Sequence, residues 1–300
     1  MELIRSSATW TVKQQSECER LSKRSKKIID AHVLRTEFSA FGGFRIERNE
    51  NEATLFLSFD HWWDCHMFRN TVRSAMEALG DQQFSIEDLP SPPPYIFVNI
   101  TMATTSLMWL LEYLKGLTQN KKFRSIEITS DLPEILRMYA DFLAGKCVSS
   151  VTVAPDGISN FAGCLALIEQ VKPAHVTYMS MNHGQLTKTS IEFLERIADK
   201  FKSILIYHQN QEYNHIIPHP YMVPFIKSMM NRRCEKLQIK DHCLNVDISV
   251  ADVQKLIQFL HHSSEKELKL TCVSRLDAVR LQVGMYVIVF DGAYLSIRRI

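Results

Sequence analysis

Glycine and proline are scarce in this chain, ten of each in 300 residues. Tight hairpin turns depend on both, so an all-β sandwich built from many short hairpins is disfavoured. An excess of charge of one sign is also missing: 35 Lys and Arg stand against 33 Asp and Glu, a formal net charge of +2. Without a bulk field of one sign, a general binder of nucleic acid or anionic membrane has no support. The longest apolar runs, such as Tyr95-Ile96-Phe97-Val98, have the length of a strand and not of a membrane span. Met1 to Ser16 is polar and mixed, so no signal peptide is expected. The seven cysteines (18, 65, 147, 164, 234, 243 and 272) form no CxxC pair and are odd in number, which reads as reduced thiols. A cytoplasmic or nuclear location is the expectation. Apolar residues at 46% and charged residues at 23% are ordinary globular usage, which excludes a disordered, collagen-like or coiled-coil chain.

The motifs of nucleotide-dependent and hydrolytic chemistry are missing as well. There is no GxGxxG or GxxxxGK[ST], and the lone Gly42-Gly43 pair lacks the strand-to-helix context of a phosphate-binding loop. GxSxG, HExxH and zinc-finger spacings are absent too. Nucleotide-dependent and motif-bearing hydrolytic chemistry is therefore disfavoured, though missing motifs do not exclude an enzyme with dispersed catalytic residues; the expectation adopted is no enzyme, no cofactor and no metal. Three clusters raise the metal question. His61, Cys65 and His66 sit among Trp62, Trp63 and Phe68, where aromatic packing is the plainer reading. His208, His215 and His219 fall in a polar segment after a strand, and Cys234, His242 and Cys243 straddle another strand, where buried thiols are common.

What the chain does contain is a repeat. Short alternating segments recur from residue 95 to 271, and Val98, Ile126, Val151, Val176, Ile204, Leu237 and Leu268 align with spacings of 28, 25, 25, 28, 33 and 31. Segments of helical period lie between them: Leu107, Leu110, Leu111 and Leu114 share a face, as do Ile135, Met138 and Phe142; Phe161, Leu165 and Ile168; Ile191, Leu194, Ile197 and Phe201; and Val253, Leu256, Ile257 and Leu260. Asp131-Leu132-Pro133-Glu134, Thr189-Ser190-Ile191-Glu192 and Ser249-Val250-Ala251-Asp252 have the spacing of capping boxes at helix starts.

A strand–helix string of this kind suits either a doubly wound sheet or an open solenoid. Parallel strands covered on both faces read as nearly continuous apolar runs. Here Glu127, Thr152, Thr177, Gln238 and Lys269 each stand between apolar neighbours, with Leu205 the exception, so one sheet face is expected to be wet. The expected fold class is α/β: a leucine-rich-repeat-like solenoid with a one-sided, mainly parallel sheet. Ahead of it come a short N-terminal helix and a β-hairpin, since Phe44 to Phe59 alternates on both sides of Asn49-Glu50-Asn51-Glu52. His61 to Leu79 reads as a helix, Ser91-Pro92-Pro93-Pro94 as a connector, and Tyr286 to Ile297 as two strands joined at Asp291-Gly292. In domain terms, residues 1–35 form one segment and 36–300 the α/β domain, with hairpin and helix over 35–90 and repeats over 95–300.

Lys23-Arg24-Ser25-Lys26-Lys27 is the one basic run, and Leu21, Ile28 and Ile29 give it the apolar side of a solvated helix. Leu21-Ser22-Lys23-Arg24-Ser25-Lys26-Lys27-Ile28-Ile29 also resembles the end of the F-box in the large nematode F-box family, and Met1-Glu2-Leu3-Ile4-Arg5-Ser6 looks like a preceding piece of it. The Ala8 to Arg20 stretch between them is atypical, and the F-box is expected to be truncated. The rest of the chain is similar to the F-box-associated region of that family, type 2 or FTH-like. The similarity lies in the early hairpin, in Thr105-Ser106-Leu107-Met108-Trp109-Leu110, and in Cys234-Glu235-Lys236-Leu237-Gln238-Ile239 followed by a helix and Lys266-Glu267-Leu268-Lys269-Leu270.

The resemblance implies a substrate-recognition subunit of an SCF-type cullin ubiquitin ligase. Leu21, Lys23, Arg24, Ile28 and Ile29 would be the remnant that meets a Skp-type adaptor. The expected partner is a target protein held on the wet sheet face by Glu127, Thr152, Thr177, Met179, Tyr207, Gln238 and Lys269, with no nucleic acid and no membrane. The rival expectation is an α/β enzyme with a site at the carboxyl ends of the strands, where His208 and Asp241-His242 would be its residues. Strand order separates the two: it runs in sequence through a solenoid and reverses once in a doubly wound sheet.

Overall fold

The computed structural model of the chain describes residues 40–49, 51–59, 62–80, 84–89, 96–118, 122–154, 158–159, 161–180, 186–208, 219–241, 250–262, 266–273, 279–283, 285–290 and 294–299. Leu21, Lys23, Arg24, Ile28 and Ile29, expected to be an adaptor-binding remnant, lie outside these residues, as do 91–94, expected to be a connector, and Asp291-Gly292, expected to be a turn. The chain packs as two compact units, Met1–Glu127 with Leu132–Ser149, and Ile128–Asp131 with Ser150–Ile300.

The first unit contains β1 (Ala40–Asn49), β2 (Glu52–Phe59), α1 (Trp62–Leu79), β3 (Ser85–Leu89), β4 (Ile96–Ala103), α2 (Thr104–Leu117), β5 (Lys122–Ile128) and α3 (Pro133–Leu143). Its strand order is β5-β1-β2-β4-β3. β1 and β2 form the expected hairpin, with Asn49 opposite Glu52 across the turn. β4 departs from expectation. It pairs antiparallel with both β2 and β3, so it is not the first strand of the parallel run. β5 instead pairs in parallel with β1. On its other edge β1 lies close against β2 at Gly42 and Gly43: a Cβ on Gly42 would stand 2.7 Å from Ser58 Oγ of β2, and one on Gly43 2.8 Å from it.

The second unit runs β6 (Cys147–Val153), α4 (Ala162–Val171), β7 (His175–Ser180), α5 (Lys188–Lys200), β8 (Ser203–His208), α6 (His219–Met230), β9 (Lys236–Asp241), α7 (Val250–His261) and β10 (Glu267–Val273). It ends on β11 (Val279–Val283), β12 (Tyr286–Phe290) and β13 (Tyr294–Arg299). β6 through β10 pair in parallel, each beside the next in sequence. The antiparallel strands follow in the order β10-β13-β12-β11. The fold is α/β with a parallel run at its centre.

One burial cadence repeats along the strands. Counting from a buried residue at each strand's entrance, the third and fifth residues after it are buried too: Phe123, Ile126 and Ile128; Val148, Val151 and Val153; Pro173, Val176 and Tyr178; Phe201, Ile204 and Ile206; Cys234, Leu237 and Ile239. The last two of each set share a face because strand side chains alternate. That face receives the helices, which present buried rows such as Phe193, Leu194, Ile197 and Ala198 on α5 and Met222, Ile226, Met229 and Met230 on α6. Each fully buried aliphatic side chain contributes about 1.5–3 kcal/mol. Of the expected helix faces, Ile191 and Ile257 are only partly buried; Phe193 takes the place of Ile191. Successive repeats are also tied by ion pairs: Glu169 to Lys200 at 2.7 Å between helix ends, Lys202 to Glu235 at 2.7 Å just ahead of β8 and β9, and Lys236 to Glu267 at 3.2 Å between the first residues of β9 and β10.

The caps differ from the spacing-based reading. α3 starts after Leu132 with no side-chain cap, and the Asp131 carboxylate accepts instead from the Ser159 N–H at 3.0 Å and its hydroxyl at 2.9 Å. α5 is capped by Thr187, whose Oγ1 accepts from the Ser190 N–H at 3.1 Å, and not by Thr189. Ser249 lies outside the described residues. α4 ends on Lys172 with φ of 52°, a left-handed residue where glycine is usual.

In the first unit, Phe44 packs on Phe142 at 4.9 Å and edge-on against Tyr139 at 5.5 Å and Phe123 at 5.9 Å. The Tyr139 hydroxyl accepts from the Ile46 N–H at 2.7 Å and donates to the Glu127 carbonyl at 2.6 Å, so one side chain of α3 satisfies main-chain groups of β1 and β5. Burial pushes its phenol far above the ordinary value of 10. Unfolded, Tyr139 ionises near pH 10, whereas folded it keeps its proton, so its contribution to stability falls as pH rises above that point. Tyr139→Phe is expected to cost about 1–3 kcal/mol at neutral pH, because it strands a buried N–H. The gap between wild type and variant in urea denaturation is expected to narrow by about 1.4 kcal/mol per unit above roughly pH 10.

Candidate functional site

Strand register decides which of the expected partner-binding residues meet. Thr152 lies opposite Thr177, Thr177 opposite Leu205, Leu205 opposite Gln238, and Gln238 opposite Lys269. Parallel neighbours sit about 4.8 Å apart, so these five side chains form one continuous row across β6 to β10. Two residues further along, Met179 lies opposite Tyr207 and Tyr207 opposite Lys240. By alternation both rows occupy the face opposite Val176, Tyr178, Ile204, Ile206, Leu237, Ile239, Leu268 and Leu270, all of which are buried. The row residues are half-buried, and Lys269 is exposed.

The structure thus brings Thr152, Thr177, Met179, Tyr207, Gln238 and Lys269 onto one face of the second unit. Glu127 belongs to the first unit, where it is committed locally. Its Oε2 lies 3.3 Å from Arg45 Nη1; Arg45 also stands 3.1 Å from Glu47 through Nε, and its guanidinium lies 4.0 Å from the centre of the Phe56 ring.

Two members of these rows escaped the sequence reading. Leu205 was set aside as the exception to the polar position, yet register puts it at the middle of the first row. Lys240, two residues after Gln238, carries the second row onto β9. The signal was available in both cases, as the same position in the cadence. The alternation ends at β12, where Tyr286, Val287 and Ile288 are all buried.

The residues of the rival reading also meet in part. Ser180, His208 and Asp241 lie side by side in register at the carboxyl ends of β7, β8 and β9; His242 lies outside the described residues. An open cleft of about 500 Å³ sits at the other ends of these strands, among Glu169, Lys172, Lys200, Phe201, Lys202 and Arg233. Glu169 there pairs with Lys200.

The cysteine and histidine clusters resolve into separate environments. Cys65 is buried on α1, while His66 stacks on Trp62 at 5.1 Å and its Nε2 lies 3.0 Å from Asn70 Nδ2. Cys234 is buried, with Sγ 3.4 Å from the Lys236 carbonyl. His61, His215, His242 and Cys243 lie outside the described residues. Among the described residues no three His, Cys, Asp or Glu side chains gather as a metal site, and no helix is long and apolar enough to cross a membrane.

Burial pushes the Cys164 thiol up to about 12 and the Cys234 thiol up to about 11, whereas Cys147 is exposed. The thiolate is the reactive form. Native protein treated with iodoacetamide at neutral pH is therefore expected to alkylate Cys147 well before Cys65, Cys164 and Cys234, read by peptide mass mapping. Equal labelling of Cys164 and Cys147 would contradict the packing of α4 on the strands. In comparisons with known proteins, no family model, no curated protein and no solved structure matches this chain.

Proposed function

We propose that this chain is a non-enzymatic protein-interaction module that holds a target protein on the open face of β6 to β10. The observation that carries the reading is the pair of registered rows on that face. Thr152, Thr177, Gln238 and Lys269 supply hydrogen-bonding and charged groups, while Leu205, Met179 and Tyr207 supply a half-buried apolar centre. A centre of aromatic and aliphatic side chains inside a polar rim is the composition of protein–protein interfaces.

The finer architecture belongs to the same proposal. A residue pattern buried at zero, three and five, on strands that neighbour one another in sequence order, is that of a leucine-rich-repeat-like solenoid with helices on one side. The resemblance of the chain to nematode F-box-associated regions extends the reading to the substrate-recognition subunit of an SCF-type cullin ubiquitin ligase, acting in the cytoplasm or nucleus. In that role Leu21, Lys23, Arg24, Ile28 and Ile29 would contact a Skp-type adaptor.

A second reading rests on the register of Ser180, His208 and Asp241: an α/β enzyme of undefined reaction with its site at the strand carboxyl ends. The unreversed order of β6 to β10 favours the first reading, because the crevice of a doubly wound sheet forms where the order reverses.

Affinity purification of the tagged chain tests the ligase role. A Skp-type adaptor and a cullin are expected to co-purify, and Leu21→Asp with Ile28→Asp is expected to remove both. Recovery of specific target proteins without adaptor or cullin would leave a binding module and overturn the ligase assignment.

A further inference from the structure

We infer that the partner of the open face presents an acidic segment next to an apolar anchor, and that the acidic part lies over β9 and β10. The inference rests on the binding role proposed above and adds the chemistry of the occupant. Charge on this face is unevenly placed. On β6, β7 and β8 its side chains are uncharged hydroxyl, thioether, aliphatic and phenolic groups from Thr152 to Tyr207, with His175 at one end. On β9 and β10 the same face carries Lys236, Lys240, Lys269 and Glu267, and Glu267 pairs with Lys236 at 3.2 Å. Lys240 and Lys269 have no carboxylate partner among the described residues.

Register sets the distance between cation and anchor. Lys240 stands directly beside Tyr207, and Lys269 is beside Gln238, which is itself beside Leu205. Neighbouring strands are about 4.8 Å apart, so each ammonium lies one or two strands from the apolar centre. An extended segment advances about 3.3 Å per residue. Crossing the strands, such a segment seats an apolar side chain against Leu205, Met179 and Tyr207 and brings carboxylates to Lys240 and Lys269 within the next few residues. A basic or neutral segment leaves both ammonium groups unanswered at a surface from which water is partly displaced, which costs affinity.

The test is selection of a displayed random dodecapeptide library on the intact protein, with affinities then measured by fluorescence anisotropy. Enriched peptides are expected to carry Asp or Glu within a few residues of a bulky apolar one. Their binding is expected to weaken about tenfold in the Lys240→Glu/Lys269→Glu variant and to survive Lys240→Arg/Lys269→Arg. Raising salt from about 0.05 to about 0.5 M is expected to weaken wild-type binding while hardly affecting the Glu variant. Peptides that lose binding in Tyr207→Ala and Thr177→Arg but show no acidic enrichment, or bind the Glu variant as well as wild type, overturn the acidic occupant and leave the face standing. Peptides indifferent to Tyr207→Ala and Thr177→Arg, or no enrichment at all, overturn both. Circular dichroism melts of each variant keep loss of binding separate from loss of fold.

Discussion

Every strand of the parallel run must bury one side against helices, and the rest of the structure follows from that constraint. Val151 and Val153, Val176 and Tyr178, Ile204 and Ile206, and Leu237 and Ile239 are nearly or fully withdrawn from solvent, and each pair is fixed by a helix laid over the same face. Register then makes the opposite face continuous from strand to strand. A one-residue slip of any strand would turn its buried pair outward, so the core that sets the register also sets the rows on the opposite face. The candidate surface is thus a by-product of packing, with its chemistry free to vary.

Polar ties hold the frame at the few places where apolar packing leaves main-chain or hydroxyl groups unsatisfied. Tyr139 joins β1 and β5 from α3 in the first unit. In the second, the Tyr178 hydroxyl donates to Ser190 Oγ at 2.8 Å, so the first turn of α5 is linked to the helix-facing side of β7. Met179, the next residue, points to the other face. Lys266 donates to the carbonyls of Arg232 and Cys234 at 2.9 and 2.8 Å, which joins the entrance of β10 to that of β9. These bonds lie outside the open rows, so substitutions within the rows alter recognition chemistry with little effect on the frame.

The strand–helix string was legible in the sequence because burial writes itself locally, as alternation in strands and as a 3.6-residue period in helices. The hairpin at Phe44 to Phe59 and the helix after it were legible for the same reason. The antiparallel place of β4 was not. Its pattern, with Val98, Ile100 and Met102 inward, matches a strand of the parallel run, and only pairing with β2 and β3, a non-local event, gives its direction. β3 and β11, five residues each, carry charged or amide side chains (Glu87 and Asp88; Arg280 and Gln282) where the equally short β12, Tyr286-Val287-Ile288-Val289-Phe290, is a continuous apolar run, so they do not stand out. The cap at Asp131 failed because its partner, Ser159, is 28 residues away and outcompetes the local amide. Leu205 escaped the site because an apolar residue at a polar position looks like a break in the pattern, whereas at an interface it is an anchor.

Hydroxyl-radical footprinting of the free protein, read residue by residue, tests the one-sided cover of β6 to β10 most directly, because reactive side chains lie next to each other on opposite faces. The account predicts that Met179 and Tyr207, on the open face, oxidise readily while Tyr178, under the helices, and Met222 and Met229, on the buried side of α6, are protected. Protection of Met179 and Tyr207 to the level of Tyr178 would mean that both faces are covered, and would contradict the open surface on which the proposed recognition depends.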